Sequence, residues 1–353
     1  MSALFLPHLV NGSTGDPALY VNLRWERRAL LVDLGDLAPL STSQILRVSH
    51  AFVSHAHMDH FYGFDRVLRF QLPRASRLHL FGPEGIIAKA RGRLSGYSWN
   101  LIATYPFVLE VTEVSEAGLR TVVLPARTAF EIAEERETPF TGVLLDEPLF
   151  RIECAILDHM IPSLAVALQE KDHVHIDPKA LDRLGLRPGP WLRAFKTGLR
   201  EGWEDAREIE IEEKGAPRKS EAPGEGEAPA EPPPAGPTRR MGDLRHLVAK
   251  VDPGARLVYV TDAVYNEANA EKIVALARGA DVFFCEAMFM ERDAHRAAER
   301  FHLTAAQAGG LARSAGAQAL EVFHVSPRYS DDPGAVIAEA QAAFRNAPLA
   351  LTR

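Results

Sequence analysis

Short apolar runs that end at a glycine, a proline or a polar residue recur along most of the chain. Runs rich in β-branched and large apolar residues predict strands, at residues 28–33, 51–54, 77–81, 107–114, 119–124, 150–157, 256–260, 281–285 and 320–323. Helical patterns follow several strands, at residues 59–70, from residue 84, and at 266–278, 304–315 and 333–345. Strands and helices mixed in both halves predict an α/β (α+β) fold in which helices cover a sandwich of two sheets, a four-layer αββα sandwich.

One stretch departs from this pattern. Residues 217–240 contain seven prolines and many glycine, alanine and glutamate residues, without apolar periodicity. Such a composition buries too little surface to offset the entropy of ordering the chain. We therefore expect a single domain over residues 1–353, with an inserted basic arm at 171–205 and a disordered loop at 214–242. A partner-binding motif within that loop is the alternative.

Charge, cysteine count and hydropathy narrow the class of protein. The formal net charge is −7, whereas a protein that binds a polyanion over its whole surface is usually basic, so any nucleic-acid contact must come from a local patch. Two cysteines without a CxxC pair argue against a disulfide scaffold or a thiolate zinc site. No apolar run reaches the roughly 18–20 residues that span a bilayer, and the first residues lack the basic start of a secretory signal. We expect a cytoplasmic protein without a membrane partner.

Residues 54–60, Ser-His-Ala-His-Met-Asp-His, place three histidines and one aspartate directly after an apolar run. Neutral imidazoles and carboxylates are the side chains that bind zinc-type cations. Residues of the same kind close later strands: Asp158 with His159, then Asp262, then His324. Together these segments supply the seven ligands that two ions sharing one carboxylate need: His55, His57, Asp59, His60, His159, Asp262 and His324. Asp262 is the natural bridge, although a histidine-rich surface loop and structural strand-end histidines are the alternatives.

A pair of divalent cations activates water for attack on phosphorus or a carbonyl carbon, and stabilises the developing oxyanion. A leaving alkoxide also needs a proton. Glu286 follows the strand at 281–285 and His302 precedes the helix at 304–315, so they form a candidate proton-donating pair. A structural hydrogen bond between them is the alternative. With Asp59, they are the candidate catalytic residues.

These residues resemble the metallo-β-lactamase fold and, within it, the ribonuclease Z family, which matures the 3′ end of transfer RNA. The resemblance runs from about Asp33 to Tyr329 and includes the HxHxDH block continuing as Phe61-Tyr62-Gly63. The other motifs that carry it are Asp33-Leu34-Gly35, Phe81-Gly82-Pro83-Glu84-Gly85, Asp158-His159, Thr261-Asp262, Cys285-Glu286-Ala287, His302-Leu303-Thr304 and His324-Val325-Ser326-Pro327-Arg328-Tyr329.

The resemblance implies an endoribonuclease that cuts precursor transfer RNA and leaves a 3′-hydroxyl on the RNA body and a 5′-phosphate on the trailer. It implies two zinc ions per chain, with manganese or iron as alternatives, and a proton donated by Glu286 and His302. Family members commonly form homodimers, so a homodimer is also implied. One ion would be bound by His55, His57 and His159. The other would be bound by Asp59, His60 and His324, and Asp262 would bind both.

The family also carries a protruding arm with a Gly-Pro element that grips transfer RNA, and residues 184–191 resemble it. Between Lys179 and Arg200, six basic residues and one acidic residue leave a local charge of +5. Contacts from lysine and arginine to phosphate supply affinity that does not depend on sequence, although a solvated helix face is the alternative. The candidate RNA-binding residues are Arg183, Arg187, Gly189, Pro190, Arg193, Lys196 and Arg200.

The chain departs from the family pattern at its N-terminal loop, where residues 11–17 replace a Pro-x-Lys-x-Arg-Asn element and contain no basic residue. Thr261-Asp262-Ala263 stands where the family has Gly-Asp-Thr, Cys285-Glu286-Ala287-Met288 where it has His-Glu-Ala-Thr, and the proline-rich stretch is an insertion. None of these changes removes a ligand. The alternative functions are hydrolysis of a small phosphodiester or other ester by the same fold, and a non-catalytic RNA-binding role.

Overall fold

The computed structural model describes residues 4–214 and 237–345. These residues divide into two compact units, a main unit of residues 4–170 and 255–345 and an inserted unit of residues 171–214 and 237–254. In chain order the strands are β1 (Phe5–Leu9), β2 (Leu19–Leu23), β3 (Ala29–Val32), β4 (Val48–Phe52), β5 (Arg77–Pro83), β6 (Val108–Ser115), β7 (Gly118–Pro125), β8 (Glu134–Thr138), β9 (Val143–Asp146), β10 (Phe150–Asp158), β11 (Pro162–Glu170), β12 (His173–Ile176), β13 (Glu208–Glu210), β14 (Thr238–Arg240), β15 (Ala249–Asp252), β16 (Arg256–Val260), β17 (Val282–Glu286) and β18 (Leu320–Phe323). The α-helices are α1 (Thr42–Ile45), α2 (Met58–Phe61), α3 (Phe64–Gln71), α4 (Ile86–Ser95), α5 (Pro178–Arg183), α6 (Trp191–Arg200), α7 (Met241–Val248), α8 (Glu267–Leu276), α9 (Ala294–Arg300), α10 (Ala305–Ser314) and α11 (Pro333–Arg345).

The main unit contains two mixed sheets. The first has eight strands in the order β1 to β8, and its strands β3, β4, β5 and β6 run parallel to one another. The second has six strands in the order β18-β17-β16-β11-β10-β9, with β16, β17 and β18 parallel. Parallel neighbours end at the same edge of a sheet, so residues that follow these strands are brought together.

Three buried apolar layers hold the main unit together. One lies between the two sheets, where Phe52 and Phe81 of the first sheet belong to the same cluster as Val166, Tyr259 and Phe323 of the second. Another joins the first sheet to α3 and α4, and the third joins the second sheet to α8, α10 and α11. The predicted four-layer αββα sandwich is therefore confirmed.

Most predicted strands lie within a few residues of the observed ones, and α11 has the predicted bounds. The helix predicted over residues 59–70 is wrong, because it breaks between α2 and α3 at Gly63. There Gly63 donates its N–H to Leu34 (2.7 Å), while Leu34 donates to His60 (2.8 Å). A Cβ on Gly63 would collide with the backbone oxygen of Gly35, so glycine permits the close approach that interrupts the helix.

The inserted unit has a small core of its own, in which Leu181, Trp191, Phe195 and Met241 are buried. It continues to residue 254 and is therefore longer than the arm predicted at 171–205. Of the loop predicted at 214–242, residues 215–236 lie outside the described residues. The prediction is wrong at its C-terminal end, because Thr238–Arg240 form β14 against β13 and Met241 begins α7. Every helix in the described ranges is too short or too polar to cross a membrane.

Candidate metal centre

Several predicted ligands, and Asp33 beside them, lie where strands of both sheets end. Asp33 follows β3, His55 follows β4, Asp262 follows β16 and His324 follows β18. Three of these residues have left-handed backbones, with φ of 59° at Asp33, 44° at Asp262 and 57° at His324. Residues other than glycine rarely adopt such angles. The residues that do adopt them cluster where the surrounding structure holds a functional side chain in place. The strand ends are therefore turned to aim these side chains at one point.

The Asp262 carboxylate lies at that point and is only 2% exposed. Its Oδ2 atom lies 3.5 Å from His55 Nε2, 3.5 Å from His60 Nε2 and 3.6 Å from His159 Nε2. Its Oδ1 atom lies 2.9 Å from His324 Nδ1. One carboxylate thus faces both predicted sets of ligands, as a bridging residue must.

The remaining predicted ligands complete the centre. Asp59 Oδ2 lies 3.4 Å from His324 Nε2 and 3.6 Å from His60 Nε2. His57 packs edge-on against His55, with ring centroids 4.3 Å apart. The ligand atoms form three groups within which all lie less than 4.8 Å apart: His55, His57, His159 and Asp262; Asp59, His60 and His324; and Asp262, Glu286, His302 and His324.

The fully buried Asp33 orients this centre. One carboxylate oxygen accepts the Ser54 backbone N–H (2.7 Å), and the other accepts the Tyr259 hydroxyl (2.9 Å) and His60 Nδ1 (2.9 Å). A carboxylate that binds one imidazole nitrogen directs the other toward a metal, and His60 Nε2 faces Asp262 accordingly. Asp33 lies in one of the motifs shared with the family, but the sequence pattern did not predict a role for it. The sequence does contain a signal for such a role, because Asp33 follows a buried strand just as Asp262 does.

His159 is oriented by a different partner. Its Nδ1 lies 2.8 Å from the backbone oxygen of Phe301, which can only accept, so Nδ1 donates and Nε2 is the ring nitrogen that faces Asp262. Phe301 itself is held in the left-handed region, at a φ of 63°. The loop that carries Phe301 is therefore tied to a ligand of the centre.

Glu286 and His302 form the predicted pair. Glu286 is fully buried, accepts the backbone N–H of Ala263 (2.9 Å) through one oxygen and faces His302 Nδ1 at 2.8 Å through the other. Burial opposes a charge on His302, but the Glu286 carboxylate raises the pKa of this imidazole above its ordinary value. His302 Nδ1 also lies 3.8 Å from Asp262 Oδ1, so the pair adjoins the centre.

The donor set fits metal ions. Within the described residues, the buried ring nitrogens His55 Nε2 and His60 Nε2 have no hydrogen-bond partner, whereas His324 Nδ1 faces Asp262 Oδ1 at 2.9 Å. Buried polar atoms are almost always paired, so such orphans indicate an absent ligand. Atoms bound at ~2.1 Å in a tetrahedron lie about 3.4 Å apart, close to the observed 3.4–3.6 Å between ligand atoms.

Without cations, the chain balances the buried charge with protons. Burial lowers the pKa of His55 to about 2, and the neighbouring His60 acts in the same direction. Although burial opposes both changes, Asp262 raises the pKa of His60 well above its usual value, and His324 keeps the pKa of Asp262 well below its own. The surroundings therefore act on the histidines in opposite directions, lowering the pKa of His55 and raising that of His60.

The seven predicted RNA-binding residues belong to the inserted unit, and the structure does not give them equal freedom. Arg183 lies 3.6 Å from Asp177 and Arg187 lies 3.3 Å from Glu212. Arg200 Nε donates to a backbone oxygen. The apparent charge of this segment is thus partly neutralised by acidic neighbours that a count over residues 179–200 leaves out.

Two cations on α6 remain available. Arg193 is exposed and Lys196 is partly exposed, and neither forms an ion pair with any residue in the described ranges. Of the Gly-Pro element, Pro190 precedes α6 and is exposed. A Cβ on Gly189 would meet the Glu212 carboxylate, the end of a flexible side chain that can move aside.

Comparisons with known proteins agree with this architecture. No family model matches the chain. Ribonuclease Z of Deinococcus radiodurans is 35% identical over 320 residues, which cover 89% of this chain and 88% of that protein. Ribonuclease Z of Prochlorococcus marinus strain MIT 9303 is 28% identical and covers 88% of this chain and 80% of that protein. The metallo-β-lactamase fold protein YhfI of Bacillus subtilis superposes with a TM-score of 0.51 at 14% identity, over 95% of this chain and 92% of that one.

The αββα sandwich, the histidine–aspartate centre at its strand ends and the ribonuclease Z relatives together define a metal-dependent hydrolase of the metallo-β-lactamase fold. Similarity to curated relatives along most of the chain specifies the branch of that class. The chain belongs to the ribonuclease Z family.

Metal binding should strengthen as pH rises, because a cation displaces protons from the centre. Although burial opposes its charge, Asp262 raises the pKa of His324 to about 10, and the pKa of His60 is raised as well. A raised pKa favours the protonated ring near neutral pH, whereas a ligand must be unprotonated. We expect zinc affinity to rise about tenfold per pH unit for each proton released, measured by calorimetry of chelator-treated protein in buffers of different ionisation enthalpy.

His55→Ala provides the matched control. His55 is already neutral, so its removal should weaken binding without changing the number of protons released. Zinc affinity that is constant across neutral pH would contradict the protonated state of His60 and His324.

Proposed function

We propose that this chain is an endoribonuclease that cuts precursor transfer RNA at its 3′ end, leaving a 3′-hydroxyl on the RNA body and a 5′-phosphate on the trailer. The observation that carries the proposal is the convergence of six histidine and aspartate side chains around Asp262, with Glu286 and His302 alongside. The relatives named ribonuclease Z support the RNA substrate.

Two zinc ions would be held by the two sets of ligands that share Asp262, with manganese or iron as alternatives. When bound, such a pair supplies an activated water and neutralises the negative charge that develops on the phosphate. One set is His55, His57 and His159, and the other is Asp59, His60 and His324.

Asp59 orients the attacking water. Its side chain is 42% exposed, whereas that of Asp262 is 3% exposed, so Asp59 is the more open carboxylate of the two. The His324 ring lies 3.4 Å from its Oδ2 and, although burial acts in the opposite direction, keeps the pKa of Asp59 low, at about 2. An ionised carboxylate at this position accepts a hydrogen bond from water and sets its direction of approach to the phosphate.

His302 delivers the proton that the leaving oxygen needs. Its Nδ1 faces the buried Glu286 carboxylate at 2.8 Å, so its Nε2 carries the transferable proton. Glu286 stabilises the charged ring, as the raised pKa of His302 indicates. A ribose 3′-oxygen is a poor leaving group without this proton, because it would depart as an alkoxide.

The inserted unit supplies sequence-independent contacts to the RNA. Arg193 and Lys196 on α6 are the cations best placed for phosphates, because acidic neighbours do not neutralise them. We further propose that the active form is a homodimer, which a light-scattering mass of twice the chain mass of 38.9 kDa would support and a monomer mass would refute.

Hydrolysis of a small phosphodiester or other ester is the second candidate function, and one observation favours it. The N-terminal loop lies beside the centre, since Ser13 accepts the backbone N–H of Val325 at 2.9 Å, yet it contains Asp16 and no lysine or arginine. A loop without cations gives an RNA backbone no phosphate contact there. End-group analysis of fragments from a precursor transfer RNA separates the two functions, because a hydrolase specific for small esters leaves the RNA intact.

The proton-donating role predicts a leaving-group effect. His302→Ala should slow cleavage of precursor transfer RNA by about 10²–10⁴-fold, yet change hydrolysis of bis(p-nitrophenyl) phosphate little, because nitrophenolate leaves without a proton. His57→Ala, which removes a ligand, should abolish both reactions and serves as the control. Equal losses of kcat on the two substrates in His302→Ala would refute the proton-donating role.

The RNA contacts are tested by charge reversal, because deleting residues 179–200 would remove the buried Leu181, Trp191 and Phe195. Arg193→Glu with Lys196→Glu should weaken transfer RNA binding and reduce its salt dependence by about two phosphate contacts. Hydrolysis of the small diester should not change.

A control with the same change in net charge is Arg69→Glu with Arg74→Glu in the main unit, where both side chains are exposed. Loss of binding that is equal in the two double variants would show a general charge effect, and the α6 residues would then have no specific role.

A further inference from the structure

Next to His302 the main unit has a cavity of about 200 Å³, which we call the base cavity. Pockets that enclose drug-sized ligands measure ~300–1,000 Å³, so this one has room for about one ring system. Its lining is largely apolar, with Met160, Tyr265 and Phe301 as the large side chains and His302 and Gln307 among the polar ones.

Two of these apolar side chains are unusually exposed for their size. Met160 is 66% exposed and Tyr265 is 39% exposed. Met160 is also held in the left-handed region, at a φ of 60°, with its N–H donated to the Asp158 carboxylate at 2.7 Å. Exposed apolar groups in one place and a strained backbone both indicate a binding role.

The remaining walls are rigid and provide a hydrogen-bond donor. The backbone oxygen of Phe301 is bound to the ligand His159, which fixes the cavity relative to the centre. The side-chain oxygen of Gln307 accepts the N–H of Thr304 at 2.9 Å, so its amide nitrogen remains to donate to a ligand. A flat aromatic ring with polar edges matches this combination of apolar walls and hydrogen-bonding side chains.

The products of the proposed reaction identify which nucleotide reaches this cavity. The bond between phosphorus and the ribose 3′-oxygen of the last body nucleotide breaks, and a water oxygen forms the new bond to phosphorus. The 3′-oxygen leaves with the proton from His302 Nε2. The nucleoside that bears this oxygen must therefore lie on the His302 side of the centre, where the base cavity is.

We propose that the base cavity binds the nucleobase of the last nucleotide of the RNA body, stacked on Tyr265 and enclosed by Met160 and Phe301. This inference rests on the proposed function and adds the direction of the RNA strand across the site. Stacking accepts every base, because each has an aromatic face, so the cavity suits RNA bodies whose last nucleotide varies. Stacking also needs no positive charge, and the N-terminal loop contains no lysine or arginine that would provide one.

A second cavity of about 200 Å³ provides the internal comparison. It is lined by the ligands His55 and His57 together with Pro83, Lys89 and Ile161, and His302 is not among its lining residues. The trailer nucleotide, whose phosphate is retained, belongs on this side. Changes at Tyr265 should therefore be independent of the first trailer base.

The test combines variants with RNA that lacks one base. Precursor transfer RNA is prepared intact, with a ribose abasic analogue as the last body nucleotide, or with the same analogue as the first trailer nucleotide. On intact RNA we expect Tyr265→Ala to lower kcat/KM about tenfold or more, whereas Tyr265→Phe keeps the ring and the activity. On RNA without the last body base, kcat/KM of the unmodified chain should fall by the same factor. Tyr265→Ala should then cause no further decrease in kcat/KM.

The outcomes separate the subsite from the proposed function. If Tyr265→Ala costs the same factor with and without the last body base, the base cavity does not bind that base. If its effect disappears only when the first trailer base is missing, the strand runs in the opposite direction and the inference is overturned. If the unmodified chain cuts no precursor RNA, the proposed function fails and the inference fails with it. Unchanged circular dichroism and metal content of Tyr265→Ala exclude unfolding as the cause of its loss.

Discussion

A buried carboxylate is the constraint on which this centre depends. Asp262 is nearly inaccessible to water, and an ion moved into such a place costs several kcal/mol unless other charges face it. In the chain alone, protonated His60 and His324 provide those charges, which explains why their pKa values rise while that of Asp262 falls. Cations bound by the same nitrogens and oxygens would compensate the same charge. Proton loss and metal binding are therefore linked through one residue.

The fold positions the side chains that face the buried Asp262 carboxylate. A hydrogen-bond network around Asp33 joins the two sheets, because Ser54 follows β4 of the first sheet and Tyr259 belongs to β16 of the second. The same carboxylate fixes His60, so the alignment of the sheets and the direction of a ligand are set by one residue. The left-handed backbone at Asp33 costs free energy, which its hydrogen bonds to Ser54, Tyr259 and His60 offset. Packing between the sheets and geometry at the centre cannot be varied independently.

Much of this could be predicted from the sequence, because the ligands follow apolar runs that are visible without a structure. The same rule could not separate Asp33, which supports a ligand, from Asp262, which faces the ligands, since both close buried strands. Strand β8 was missed because Glu134–Thr138 has no apolar residue and is exposed throughout. It is a strand only through backbone pairing with β7. The break at Gly63 depends on contact with Gly35, which lies far away in sequence. In each case the missing information concerns a partner that is distant along the chain.

A net charge counted over a stretch of sequence also leaves out partners that are distant along the chain. This omission affects the interpretation of RNA binding. The net +5 of residues 179–200 includes Arg187, which pairs with Glu212 outside that window. Affinity that comes only from phosphate contacts falls steeply with salt, and few unpaired cations remain on α6. The N-terminal loop adds none near the centre. Base stacking supplies ~1–3 kcal/mol per base, and it does so on a neutral surface. In the proposed function, a chain of net charge −7 holds the nucleotide at the cut by its base, while the free cations of α6 contact phosphates elsewhere on the RNA.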